Sequence, residues 1–343
     1  MASTTRTARR RWTRELTGEV DGIALASSGP VLLHGYDPPA GGRWIDSAIP
    51  GRLSALERGT GEARWTSPCE VGYGRGFGAG FGRDNDAVVL GPSPNGHRIV
   101  RMSLENGELM AASDIKTFDE ALVFGDLCLT ASARHVSAIE SGSLRELWTY
   151  TREGERYHHV GRSGRRVFVV FTQESTRRKG VLCLDAQSGA FDGLLLAPNQ
   201  RAIHDLAVDE RGAVLLCSDL ENALPREILI DYLVQHGDDE SGQSAARLAL
   251  VALEPTGSEG DAPLWFESLA GEDGDLPEIS VSADSGKLYI VRGALLEVRD
   301  ALTGRTLGDW AVPGLDERVA WKVAEGAGLL AEETRVSIFE LPA

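Results

Sequence analysis

A chain of 343 residues is longer than a typical compact domain, a limit that repeat architectures escape by adding units. Its formal charge of −16 opposes binding to nucleic acid or to an anionic membrane surface. Forty glycines and an apolar fraction of 42% suit an all-β protein with many tight turns and a large buried core.

The charge is uneven from the start. Residues 1–9 read as a disordered basic tail ahead of a single domain over 10–343. Arg6, Arg9, Arg10, Arg11 and Arg14 against Glu15 give the first sixteen residues +4, which leaves −20 for the rest of the −16 total. No apolar segment follows these arginines, so they are not read as a secretory or twin-arginine signal, and the cytoplasm is the expected compartment. No later stretch approaches the roughly 20 apolar residues of a membrane span.

The segment Arg11-Trp-Thr-Arg-Glu-Leu16 has the look of a strand without neighbours of its own. A first apolar strand follows at Val31–His34, then a long loop over 35–51 with Pro38, Pro39 and Trp44. Next comes Leu53-Ser-Ala-Leu-Glu-Arg-Gly-Thr-Gly61-Glu-Ala-Arg-Trp65, an alternating apolar strand, an acidic residue, a glycine turn and a tryptophan. The same phrase returns at Ile99–Gly107, at Val136–Gly142 running on to Trp148, and at Val181–Gly189. It returns again at Leu250–Gly257 running on to Trp265 and at Leu296–Gly304 reaching Trp310. The turn glycines lie 46, 35, 47, 68 and 47 residues apart, against about 40–50 for a four-stranded blade. Alternation buries one face between neighbouring blades, the glycine supplies a positive φ, and the tryptophan covers the adjacent unit.

This phrase resembles the repeat of pyrroloquinoline-quinone-like β-propellers, Leu-x-Ala-Leu-Asp-x-x-Thr-Gly-x-x-x-Trp, over nearly the whole chain. The resemblance implies an all-β, seven-bladed propeller of four-stranded antiparallel blades; with no catalytic constellation in the residues, a non-catalytic member of the family is expected. At the end of the chain Arg318–Ala324, Gly328–Ala331 and Val336–Leu341 supply only three strands. The N-terminal Trp-bearing strand is therefore expected to complete the last blade and close the ring.

With the strands of a blade lettered A to D outward, four segments join B to C: residues 35–51, 91–96, 173–180 and an insertion at about 219–246. They are expected at one end, together with the glycine-rich run 72–82, read as a flexible segment or a closely packed inner strand. Loop variation on one face of a rigid scaffold is the pattern of a binding surface. The candidate partner-binding residues there are Trp44, Arg75, Arg177 and Arg178. To these the insertion adds Leu224, Ile228, Tyr232 and Leu233, an apolar stripe on a helix expected over 226–235. Asp238, Asp239 and Glu240 open a link whose composition invites proteolysis.

Candidate chemistry is sparse. Cys128, Cys183 and Cys217 sit in apolar runs and read as buried hydrophobes. His158 and His159 are adjacent and point to opposite faces of a strand, and His34, His135 and His204 are isolated, so no metal site is expected. Neither a cofactor nor a catalytic group is expected. The leading reading is a monomeric propeller that serves as a scaffold or regulatory partner for another protein, with no nucleic acid and no membrane. The alternative is a small-molecule lyase or hydrolase with its site in the central channel. A third reading is an envelope assembly scaffold similar to quinoprotein-like lipoproteins.

Overall fold

A computed structural model describes residues 5–26, 28–37, 51–72, 76–199, 203–209, 213–219, 230, 248–257, 261–269, 279–318, 320–324 and 326–341. They fall into two compact units. One spans residues 7–151 and 312–343. It holds β2 (Arg9–Glu15), β3 (Glu19–Ala24), β4 (Val31–Tyr36), β5 (Gly51–Leu56), β6 (Ala63–Cys69), β7 (Gly78–Phe81), β8 (Asp86–Ser93), β9 (Gly96–Ser103) and β10 (Leu109–Ile115). It continues with β11 (Glu120–Phe124), β12 (Leu127–Ala131), β13 (Val136–Glu140), β14 (Glu146–Tyr150), β27 (Ala320–Ala324), β28 (Ala327–Glu332) and β29 (Arg335–Glu340). The other unit spans residues 1–6 and 152–311. It holds β1 (Arg6–Thr7), β15 (Glu155–Ser163), β16 (Arg166–Gln173), β17 (Lys179–Asp185), β18 (Phe191–Asn199), β19 (Ile203–Asp209) and β20 (Ala213–Asp219). Its remaining strands are β21 (Leu248–Leu253), β22 (Trp265–Leu269), β23 (Ile279–Asp284), β24 (Lys287–Arg292), β25 (Leu295–Asp300) and β26 (Thr306–Ala311).

Consecutive strands pair antiparallel into sheets of order β3-β4-β5-β6, β7-β8-β9-β10, β11-β12-β13-β14, β15-β16-β17-β18 and β19-β20-β21-β22. The sixth four-stranded sheet is β27-β28-β29-β2, in which the N-terminal β2 supplies the missing outer strand, with Trp12 opposite Ile338 and Arg14 opposite Val336. The remaining sheet, β23-β24-β25-β26, carries β1 on its outer edge and so has five strands. Six sheets are thus four-stranded, which corrects the expectation of seven four-stranded blades. Part of the expected disordered tail is strand for the same reason, because an open sheet edge offers unpaired backbone groups that an extended segment satisfies.

Inner strands pack on one another, β27 on β3, β3 on β7 and β7 on β11 in one unit, and β15 on β19 and β19 on β23 in the other. The glycine-rich run is therefore a closely packed inner strand where it is described. A Cβ at Gly78 would lie 2.7 Å from Ala121 Cβ, and one at Gly80 would lie 2.5 Å from Val123 Cβ. The apolar core is a series of layers, each drawn from two adjacent sheets. One joins Leu53, Ala55 and Trp65 to Val89, Val100 and Met102, and another joins Leu90 and Ile99 to Cys128 and Ile139.

The repeated tryptophan latches one sheet to the next. Trp12 Nε1 donates to the Arg58 carbonyl at 2.8 Å, Trp65 to Leu104 at 2.9 Å and Trp265 to Ala301 at 2.9 Å. Each ring lies on the turn glycine of the following sheet. A Cβ at Gly61, Gly107 or Gly304 would come within 2.8 Å of that ring. The turn residue closes an i to i+4 hydrogen bond, as Gly107 N does to the Ser103 carbonyl, at positive φ.

Two deviations correct the sequence reading. In the sheet β11–β14 the left-handed position falls on Leu144 (φ 58°), which bonds back to Glu140, and not on Gly142. The residue in the tryptophan register of the preceding sheet is Ala111, and both Ala111 and Leu144 pack in the layer between the two sheets. Volume missing on the strand is restored at the turn. In β26 the register position is Gly308, and Trp310, two residues further on, folds its ring over that glycine. Where the latch tryptophan is replaced by Ala111 or Gly193, an arginine bonds the next sheet instead. Arg101 donates to the Gly142 carbonyl, and Arg166 donates to the Pro255 carbonyl at 2.7 Å.

Leu144→Ala is expected to cost about 3 kcal/mol by leaving a cavity while keeping the left-handed backbone cost. Leu144→Gly loses the same packing but removes that backbone cost, so it is expected to be the milder change by about 1 kcal/mol. Urea unfolding of the two variants checks this inversion of the usual alanine–glycine order.

Candidate functional site

In an antiparallel four-stranded sheet the B–C connection and the D–A connection to the next sheet leave from the same end. The long connections here are residues 37–50 and 220–247, both B–C, and the D–A segments 70–77, 270–278 and 312–319 share that end of their own sheets. Two of the expected elaborations are smaller than the sequence suggested. Residues 91–96 are mostly strand, with Pro94 and Asn95 as a tight turn, because Gly96 takes φ 129° and lets the hairpin close. In the β16–β17 connection Arg177 sits at φ 60° and bonds back to Gln173, the same i to i+4 turn used between strands C and D. The opposite end is mostly short turns, with 254–264 as its longest connection.

Of the expected partner-binding residues, Arg177 is exposed and Arg178 half-buried. Trp44, Arg75, Leu224, Ile228, Tyr232 and Leu233, and the link residues Asp238, Asp239 and Glu240, lie outside the described residues. From the expected helix only Ile230 is described, helical and exposed.

The sequence did not signal a cavity of about 150 Å³ with a mixed polar and apolar lining beside the first sheet. Arg14, Glu19, His34, Arg52, Ser54 and Thr66 contribute to its wall, which the 16–18 connection completes. Arg52 holds Asp37 through both oxygens at 2.9 and 3.0 Å, and the Tyr36 hydroxyl donates to Glu19 at 2.7 Å. Isolated His34 was the one hint of this site.

His34 is fully buried on β4 and stacks on Phe77 with ring centroids 4.6 Å apart. Its Nε2 donates to the Val71 carbonyl at 2.9 Å, since a carbonyl can only accept. Gly51 makes the approach possible, because a Cβ there would lie 2.1 Å from the Val71 oxygen. With Nε2 protonated, Nδ1 is an acceptor, and it faces Asp21 Oδ2 at 3.7 Å. Burial pushes the Asp21 carboxyl up to about 6 and the His34 imidazole down to about 4. The nitrogen left to accept a proton, Nδ1, is buried against the Asp21 carboxyl.

The two shifts oppose each other in stability. Between about pH 4 and 6 native Asp21 keeps a proton that the unfolded chain has largely released, so alone it makes stability fall as pH rises. Native His34 lacks the proton that the unfolded chain holds up to its ordinary 6.5, so alone it makes stability rise. In the wild type these slopes nearly cancel. Asp21→Asn is expected to leave a stability that climbs by on the order of 2 kcal/mol from pH 4 to 7, and His34→Gln one that drops by a similar amount. Urea titrations at both pH values check the signs, and parallel curves for all three proteins would refute them.

Among the described residues, three thiols are buried and two further histidines bond to neighbouring hydroxyls. Cys69, Cys128 and Cys183 are buried free thiols whose ionisation burial pushes up, to about 11 for Cys69 and Cys183. The Cys217 side chain lies outside the described set. His158 Nε2 meets the Thr172 hydroxyl at 2.8 Å, and His135 Nδ1 meets the Ser132 hydroxyl at 3.0 Å. Among the described residues no group of three or more His, Cys, Asp or Glu could hold a metal ion, and no helix is long and apolar enough to cross a membrane.

No known protein family matches the chain, and no curated protein matches it in sequence. Its shape is similar to the crystal structure of BamB from Moraxella catarrhalis, at TM-score 0.54 and 12% identity over 97% of both chains. It is also similar to the Pan2 WD40 domain of Neurospora crassa, at TM-score 0.60 and 11% identity over 98% of both chains. At such identities the likeness carries the fold alone. Together with the sheet topology, it identifies the chain as a β-propeller of antiparallel four-stranded blades.

Proposed function

We propose that this propeller is a non-enzymatic scaffold or regulatory subunit that binds another protein through the ends of the blades bearing the B–C and D–A connections. The observation that carries the reading is the length asymmetry between blade ends, with residues 37–50 and 220–247 both on the B–C side. Long connections on a rigid scaffold are where recognition residues accumulate. The stripe Leu224, Ile228, Tyr232 and Leu233 has the spacing of a helix that lays an apolar face into a partner's groove. The run Asp238-Asp-Glu-Ser-Gly-Gln-Ser has the composition of a cleavable link, and cutting there would separate that stripe from β21.

The test compares the intact protein with a variant in which residues 222–245 are replaced by a short Gly-Ser turn, each used as bait in extracts of the native host. A partner captured by the intact protein and lost by the variant supports the reading. A partner retained equally by both overturns it. Limited proteolysis tests the switch, which requires the 238–246 link to be cut before other loops.

A further inference from the structure

The strongest concentration of positive charge in this acidic chain lies on an open sheet edge. β2 is the terminal strand of its sheet, and Arg9, Arg10 and Arg11 on it are exposed, as is Arg6 just before it. Arg9 is 81% and Arg11 41% exposed at the side chain, and both turn to the same carboxylate, Glu340, at 3.6 and 3.0 Å. Arg10 lies 5.3 Å over the Phe339 ring. One carboxylate therefore serves two guanidiniums, and the strand keeps a net positive face while the sequence beyond residue 16 carries −20.

The molecule itself shows that an outer edge of this kind accepts a further strand. β1 pairs on the outer edge of β26, which carries a bulge between Thr306 and Gly308 as β2 does between Arg10 and Trp12. The bulge therefore does not block addition.

We propose that the outer edge of β2 is a docking edge for an acidic, extended peptide segment of a partner protein, held by main-chain pairing and by Arg9 and Arg11. Strand addition supplies affinity through alternating N–H and C=O groups, and side chains supply selectivity. An acidic strand matches both requirements, with carboxylates that take the guanidiniums in charge-assisted hydrogen bonds. A nucleic-acid backbone offers acceptors but no alternating donors, and the surrounding negative field repels a long polyanion.

The probe is a fluorescent nine-residue peptide, Thr-Glu-Val-Glu-Thr-Glu-Val-Glu-Thr, read by anisotropy at low ionic strength against the full-length protein. Saturable binding is expected. It should weaken by about tenfold or more for the double variant Arg9→Gln/Arg11→Gln and for a peptide N-methylated at alternate residues, which keeps its charge but cannot pair. The melting temperature of the double variant should be close to wild type, since exposed ion pairs contribute little. Replacing residues 222–245 should leave the peptide's affinity unchanged, which separates this edge from the loop-bearing end. The proposal is overturned if no saturable binding occurs, as for arginines that only guard the edge against self-pairing. It is equally overturned if the N-methylated peptide binds as well, or if a single-stranded oligonucleotide of equal charge binds as tightly.

Discussion

A chain lacking residues 1–15 is expected to lose its cooperative fold. Those residues supply β2, the outer strand of the sheet formed with β27, β28 and β29, and their removal leaves the β29 ladder unpaired along its length. They also supply Trp12, which packs with Leu16 against the layer of Val31, Leu33, Leu329 and Ile338 and latches onto the Arg58 carbonyl. Trp12 is half-buried, and truncating it is expected to cost about 3 kcal/mol, the lower end of the range for a buried tryptophan, where a whole domain holds only about 5–15 kcal/mol. Trp12→Ala should therefore remain folded but melt much lower, and the truncation should populate collapsed or aggregated chains. A synthetic peptide of residues 5–17 added during refolding should restore the native circular dichroism and a monomeric elution volume, as donated strands do for incomplete sheets. A truncated protein that melts within a few degrees of wild type would show that β2 is dispensable.

The second large effect lies at the latch between the first two sheets. Gly107 combines φ 73° with a place directly beneath the Trp65 ring, where a Cβ would lie 2.5 Å from Cε3. Gly107→Leu adds the left-handed backbone cost, about 1–2 kcal/mol, to overpacking of about 1–3 kcal/mol. Trp65→Ala empties the site and removes the bond to Leu104, at about 3–5 kcal/mol. The double variant rebuilds the arrangement that Ala111 and Leu144 use at the following junction. It is expected to be less destabilised than the sum of the singles by about 2 kcal/mol or more, since the leucine then fills the space that the indole left. Strict additivity in a urea-unfolding cycle would show that the two junctions are not alternative solutions to one packing problem.

Local pattern made part of this structure readable from sequence. The recurring phrase carries both strand alternation and turn chemistry, so the C and D strands and the unpaired N-terminal strand with Trp12 could be placed without coordinates. What could not be read depends on contacts between sheets. Gly142 was the natural candidate for the turn in its repeat, yet Leu144 takes the left-handed position because its side chain fills the space opposite Ala111. The fifth strand at Arg6–Thr7 depends on an open edge some 300 residues away in sequence. His34 was visible only as an isolated histidine, since Val71, Phe77 and Asp21, which fix its tautomer and its proton affinity, come from other strands and connections. For the loop-bearing end, the sequence located the connections, and strand topology showed that only those over 37–50 and 220–247 are long on the B–C side.

The most direct test of the binding account is site-specific photo-crosslinking in the native host. A photoreactive residue is placed at Asp37 or Arg177, in B–C connections, and at Arg165 or Asn106, in the A–B and C–D turns; all four positions are exposed. The account predicts a discrete adduct with one partner protein from Asp37 or Arg177 and none from Arg165 or Asn106. Adducts formed only from Arg165 or Asn106 would contradict it and move the interaction to the opposite ends of the blades.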